Sequence, residues 1–133
     1  MKVVVVGGHG RKVGKTSVVA GVIRGLKSLA WTAVKITPHL HATGPVPGSD
    51  RSDLAKSPFV LTEERDPYGH GDTCRYLAAG ARRALLLSVE PGRLAEALPS
   101  LREALAGDEH VIVESNRILD FVSPAVCLAV LSN

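Results

Sequence analysis

Short apolar runs and helix-period segments alternate along this chain. Val3-Val4-Val5-Val6 is a β-branched run of the kind that forms a buried strand. Between Thr16 and Ala30, the residues Val18, Val19, Val22, Ile23, Leu26 and Leu29 fall on one stripe, which predicts a helix. Trp31 to Thr37 predicts a second strand, ended by Pro38. Phe59-Val60-Leu61-Thr62 suits a brief edge strand. Asp72-Thr73 opens a predicted helix with Leu77, Ala78 and Ala81 on its inner face and Gly80 near its end. Ala84-Leu85-Leu86-Leu87, within Arg82 to Val89, is apolar enough for a strand buried on both faces. Pro91-Gly92 turns the chain into a helical stretch from Arg93 to Ala106, where Pro99 predicts a kink or two short helices. His110 to Glu114 and Ala125 to Leu131 predict the last two strands.

Strands separated by helices predict a three-layer α/β architecture with a mostly parallel sheet and crossover helices. The 133 residues form one expected domain, 1–133. Its irregular part is the long loop of about 38–71, where Pro38, Pro45, Pro47, Pro58 and Pro67 fall; a connection of that length is expected to be functional or mobile. The chain stops at Leu131-Ser132-Asn133 as a strand ends, which leaves room for a missing base-reading segment.

The joint between the first strand and the first helix carries the chemistry. It reads Gly7-Gly8-His9-Gly10-Arg11-Lys12-Val13-Gly14-Lys15-Thr16-Ser17. Glycines let backbone N–H groups curl into an anion-binding nest, and the following helix aims its positive end at the same spot. Gly8 to Ser17 are therefore the candidate phosphate-binding residues, with Lys15 reaching the terminal phosphates and Thr16 ligating Mg²⁺. The usual spacing asks for glycine at position 9, where His9 stands between Gly8 and Gly10. This is the pattern of a P-loop NTPase-like fold.

Net charge is +3, from 16 Lys and Arg against 13 Asp and Glu, a mild excess that suits an anionic small ligand. One Trp, two Tyr and two Phe, none interleaved with a basic run, leave no stacking platform for nucleic acid. The apolar stretch Ala125 to Leu131 is far short of a membrane span, and the amino-terminal valines are too few for a signal sequence. Two cysteines, Cys74 and Cys127, make no disulfide framework, so a reducing cytoplasm is expected.

In an open parallel sheet the ligand sits beyond the carboxyl ends of the strands. Those ends carry His39 and His41, Glu90, Glu114-Ser115-Asn116-Arg117, and Ser132-Asn133. Glu114, at the tip of His110-Val111-Ile112-Val113, is placed to hold Mg²⁺ through water or to orient a nucleophile. Asp72 reads either as a helix cap or as a second Mg²⁺-side carboxylate. Lys15, Glu114 and Asp72 are the candidate catalytic residues, and Thr16, Glu114 and Asp72 the candidate metal ligands. Asp50 and Asp53 lie in the long loop as hydrated residues that could close on the metal. A zinc alternative would use His39, His41, His70 and Cys74; Cys74 and Cys127 otherwise read as small apolar fillers, and His110 as a surface residue at a strand start.

Several of these pieces occur in a familiar order: the glycine loop after a valine strand, Val34-Lys35-Ile36-Thr37 with histidines following, Asp72-Thr73-x-Arg75-Tyr76-x-Ala78-Ala79-Gly80-Ala81, and Val111-Ile112-Val113-Glu114. The chain resembles the accessory proteins of molybdopterin-guanine dinucleotide biosynthesis, which are P-loop proteins that bind GTP and assist molybdenum cofactor maturation. The resemblance extends over most of residues 3 to 115 and implies a bound GTP; hydrolysis is expected to be slow, since no obvious base or arginine finger is fixed by the sequence. The resemblance also implies a cofactor-biosynthesis enzyme as partner, and a homodimer stays open. No Asn/Thr-Lys-x-Asp run is present, so the residues themselves do not separate GTP from ATP. Two rival readings use the same fold: an ATP-dependent small-molecule kinase or ligase with the 38–71 loop as lid, and a non-catalytic metal- or partner-binding module.

Overall fold

The structure, a computed structural model, describes residues 1–8, 14–38, 57–115 and, by backbone alone, 126–130. Strand β1 (Lys2–Gly8) leads to helix α1 (Lys15–Gly25), a single 3-10 turn (Lys27–Leu29) and β2 (Thr32–Pro38). Then follow β3 (Phe59–Glu64), α2 (Asp72–Ala79), β4 (Arg83–Val89), α3 (Leu94–Ala104), β5 (His110–Glu114) and β6 (Val126–Val130). The strands form one sheet in the order β3-β4-β2-β5-β1-β6. β1, β2, β4, β5 and β6 pair in parallel, and β3 runs antiparallel to β4 at the edge. The expected α/β class, the mostly parallel sheet and the brief edge strand are all present.

Strand alternation sorts the core into two halves. Val5, Val34, Leu85, Leu87, Val111 and Val113 point to one face and pack beneath Leu94, Ala97, Leu98 and Leu101 of α3. The opposite parity gives Val6, Ala33, Ala84 and Ile112, which meet Val19, Ala20 and Ile23 of α1 and Tyr76 and Ala79 of α2. Helices therefore cover both faces, giving three layers. Branched and long side chains fill the α3 face. Two of the four strand residues on the other face are alanines, and there the ring of Tyr76 is completely buried.

Local details depart from the expected ones where packing or solvent overrides pattern. The first helix stops at Gly25 instead of running to Ala30, and Ala30 turns the chain at φ 52°. The third helix is one continuous helix, not two short ones, even though it contains Pro99. Pro99 and Ala95, whose carbonyl the missing N–H would have bonded, are both exposed, so solvent can replace the lost donor. On α2 the buried residues are Thr73, Cys74, Tyr76 and Ala79. Leu77 and Ala81 do pack against the core, but Ala78 is exposed, which corrects the expected inner face by one position. His110 is half-buried, not a surface residue, and its ring meets Trp31 edge-on at 5.6 Å.

A polar clamp secures the far end of the sheet. Arg83 Nη1 donates to Asp108 Oδ2 at 2.9 Å and to the Ala104 carbonyl at 3.2 Å, so a cation serves the carboxyl end of α3. Helix α2 ends by a different device. Gly80 takes φ 115° and its N–H bonds the Leu77 carbonyl, a left-handed cap that a side chain would strain. A Cβ there would also stand 3.0 Å from Lys27 Cε. Gly80→Ala is expected to destabilise the fold by about 1–2 kcal/mol, read as a lower urea midpoint with an unchanged denaturant slope.

Candidate functional site

The site forms at the carboxyl ends of the central strands, on the face covered by α1 and α2. Register explains why. Ile112 of β5 and Ala33 of β2 both point to that face, so Glu114 and Lys35, each two residues further on, point there as well. Val6 pairs with Glu114 on one side and Lys35 pairs with it on the other, which sets β5 between the β1–α1 joint and the lysine.

Helix α1 begins immediately above. Gly14, its first flanking residue, takes φ 87°, a left-handed conformation that glycine adopts without strain. Among the described residues no side chain caps this helix, and its first turn holds no acidic residue. A helix start without a cap or an acidic side chain favours an anion. Lys15 is the first helical residue and is half-buried; Thr16 is buried and faces inward.

Glu114 is buried at the centre of the arrangement and is served by three elements. Thr16 Oγ1 of α1 donates to its Oε1 at 2.7 Å, and the Tyr76 hydroxyl of α2 donates to the same oxygen at 2.5 Å. Lys35 Nζ of β2 stands 3.3 Å from the other oxygen, Oε2. The same ammonium donates to Asp72 Oδ2, at the start of α2. Asp72 and Tyr76 are four residues apart and so share a helix face, which brings both to the site. The side chain of Asp72 makes no capping bond, Gly71 being the residue in the cap position. Asp72 is therefore not the cap residue, and its carboxylate pairs with Lys35.

Thr16 and Glu114 are in direct contact, and Asp72 joins them through Lys35. All their donor atoms are oxygens, one neutral hydroxyl and two carboxylates, a set suited to a hard divalent cation that also takes oxygens from phosphate and water. Among the described residues no group of three His, Cys, Asp or Glu side chains could hold a metal ion. Cys74 instead donates to Glu64 Oε1 at 2.8 Å; that bond, with burial, raises its thiol above the ordinary pKa. Ser17 is turned away from Glu114 and accepts from Arg75 Nη2 at 3.1 Å. The two line a cleft of about 290 Å³ between α1 and α2, together with Ala20, Gly21, Arg24 and Ala78. None of Thr16, Lys35, Asp72 or Glu114 lines it.

His9, Gly10, Arg11, Lys12 and Val13 lie outside the described residues, as do His39, His41, Asp50, Asp53, Asn116, Arg117, Ser132 and Asn133. Sequence reasoning gave no role to Lys35 or Tyr76. A signal existed for each: a charge interrupting an otherwise apolar strand, and a phenol one helical turn beyond Asp72. No known family model matches the chain, and no curated protein or solved structure is significantly similar to it. Among the described residues no helix is long and apolar enough to cross a membrane.

Burial, then the neighbouring Glu114 charge and the hydrogen bond to it, push the Tyr76 hydroxyl well above its ordinary value of 10.0. The neutral phenol therefore favours the folded state. Its contribution is complete below pH 10, where the unfolded phenol is also neutral, and falls above that pH by up to about 1.4 kcal/mol per unit as the unfolded phenol ionises. Tyr76→Phe is expected to cost about 1.5–3 kcal/mol at neutral pH. The gap between wild type and variant should narrow progressively above pH 10, measured by urea unfolding across the alkaline range.

Proposed function

We propose that this chain is a P-loop protein that binds a purine nucleoside triphosphate with Mg²⁺, GTP being the nucleotide its family resemblance favours. The observation that carries the reading is the 2.7 Å contact between Thr16, just after Gly14-Lys15 at a helix start, and the buried Glu114 of the adjoining strand. A hydroxyl and a carboxylate in that relation flank the place where a cation would meet the terminal phosphates. Lys15 and the amino end of α1 would hold phosphate, while Thr16, with Glu114 and Asp72 behind it, would hold the metal. The metal would neutralise charge on the phosphate oxygens.

Turnover is expected to be slow. Among the described residues, the groups that bond Glu114 are two hydroxyls and an ammonium, already engaged with it. Slow turnover suits an accessory protein of molybdenum cofactor biosynthesis, working beside a cofactor-assembling enzyme in the cytoplasm. A kinase or ligase would instead leave a stable phosphorylated product, which mass analysis of the reaction distinguishes from slow release of inorganic phosphate.

Lys15→Ala removes a charge-assisted contact worth about 2–3 kcal/mol. Triphosphate affinity should fall by roughly 30- to 150-fold. Calorimetric titration of wild type and variant with GTP and with ATP measures both this loss and the base preference. Unchanged affinity in the variant would overturn the role of Lys15.

A further inference from the structure

The proposed metal site already contains a cation. Lys35 extends from β2 between two carboxylates that belong to other elements, Asp72 on α2 and Glu114 on β5. Its side chain is 22% exposed and that of Glu114 is 6% exposed, so solvent screens this contact poorly. Thr16 bonds the same carboxylate that Lys35 contacts, so a divalent ion reaching Thr16 and Glu114 must enter next to the ammonium.

We propose that Lys35 is the internal counter-cation of this site, admitting a divalent metal only when a triphosphate arrives with it. The inference rests on the metal-side role given above to Thr16, Asp72 and Glu114. Charge balance supplies the argument. With Lys35 in place, two carboxylates and one ammonium carry a net charge of about −1, and nearby like charges repel strongly where water is scarce. A bare divalent ion would have to displace the ammonium from both carboxylates or share them at close range. A triphosphate changes that balance, because its own negative charge can partner the ion and the released lysine together. Lys35 would then turn from the carboxylates toward the phosphate oxygens, contributing to affinity for the metal–nucleotide complex while opposing the metal alone.

The test uses Mn²⁺ without nucleotide, followed by electron paramagnetic resonance of the free ion. Wild type and Lys35→Arg should bind Mn²⁺ weakly, and Lys35→Met should bind it at least about tenfold more tightly; the double variant Lys35→Met with Asp72→Asn should lose most of that gain. Equal Mn²⁺ affinity in wild type and Lys35→Met overturns the proposal. Should Lys35→Met be unfolded in metal-free buffer, folding becomes the readout, since a ligand that binds the folded state alone shifts the equilibrium toward it. Millimolar Mn²⁺ should then restore the native circular dichroism, and a chain that stays unfolded overturns the proposal. No nucleotide is present in any of these measurements. Failure of triphosphate binding in the Lys15→Ala titration is therefore distinguishable from failure here.

Discussion

A carboxylate taken out of water must be solvated by the protein itself, and in this chain that demand falls on Glu114. Two hydroxyls and an ammonium meet it, from Thr16, Tyr76 and Lys35. Each donor belongs to a different element, so the carboxylate ties α1, α2 and β2 to the tip of β5. Removing a partner from such a set leaves an uncompensated buried charge, whose cost exceeds the net worth of the pair. The arrangement therefore dictates how closely the two helices approach the strand ends.

The two faces of the sheet divide the work. On the α3 side the contacts are apolar from Val5 to Val113, a close-packed layer that holds the strands in register. On the other side the strands carry Ala33 and Ala84 beneath Tyr76. A phenol ring fits there with its hydroxyl directed to Glu114. Ordinary strand alternation then does the rest, because the same parity that buries Ile112 and Ala33 delivers Glu114 and Lys35 two residues later. A buried polar cluster thus arises at the point where two apolar strands run out of core to cover.

Much of this was legible along the chain. The valine run, the continuous Ala84 to Leu87 segment and the glycine-rich joint are local signals, since a buried strand and a left-handed turn each need particular residue types wherever they occur. The parallel sheet followed from strands that alternate with helices. Less legible was the behaviour of Pro99, which is tolerated because it lies on the solvent side of α3, and the true inner face of α2, which is decided by the space above Ala33 and Ala84. Cys74 illustrates the same limit: a small apolar filler by composition, it is hydrogen-bonded to Glu64 because β3 lies close to α2.

What the residues determined on their own is the set of elements, because periodicity and backbone freedom act over a few neighbours. The partners of Glu114 come from 38 and 98 residues away by way of Tyr76 and Thr16. Lys35 likewise reaches Asp72 across 37 residues. Only the sheet order, which sets β5 between β1 and β2, brings those groups within hydrogen-bonding distance. Side-chain chemistry written far apart becomes a site when strand pairing removes the intervening space, and no local pattern encodes that pairing.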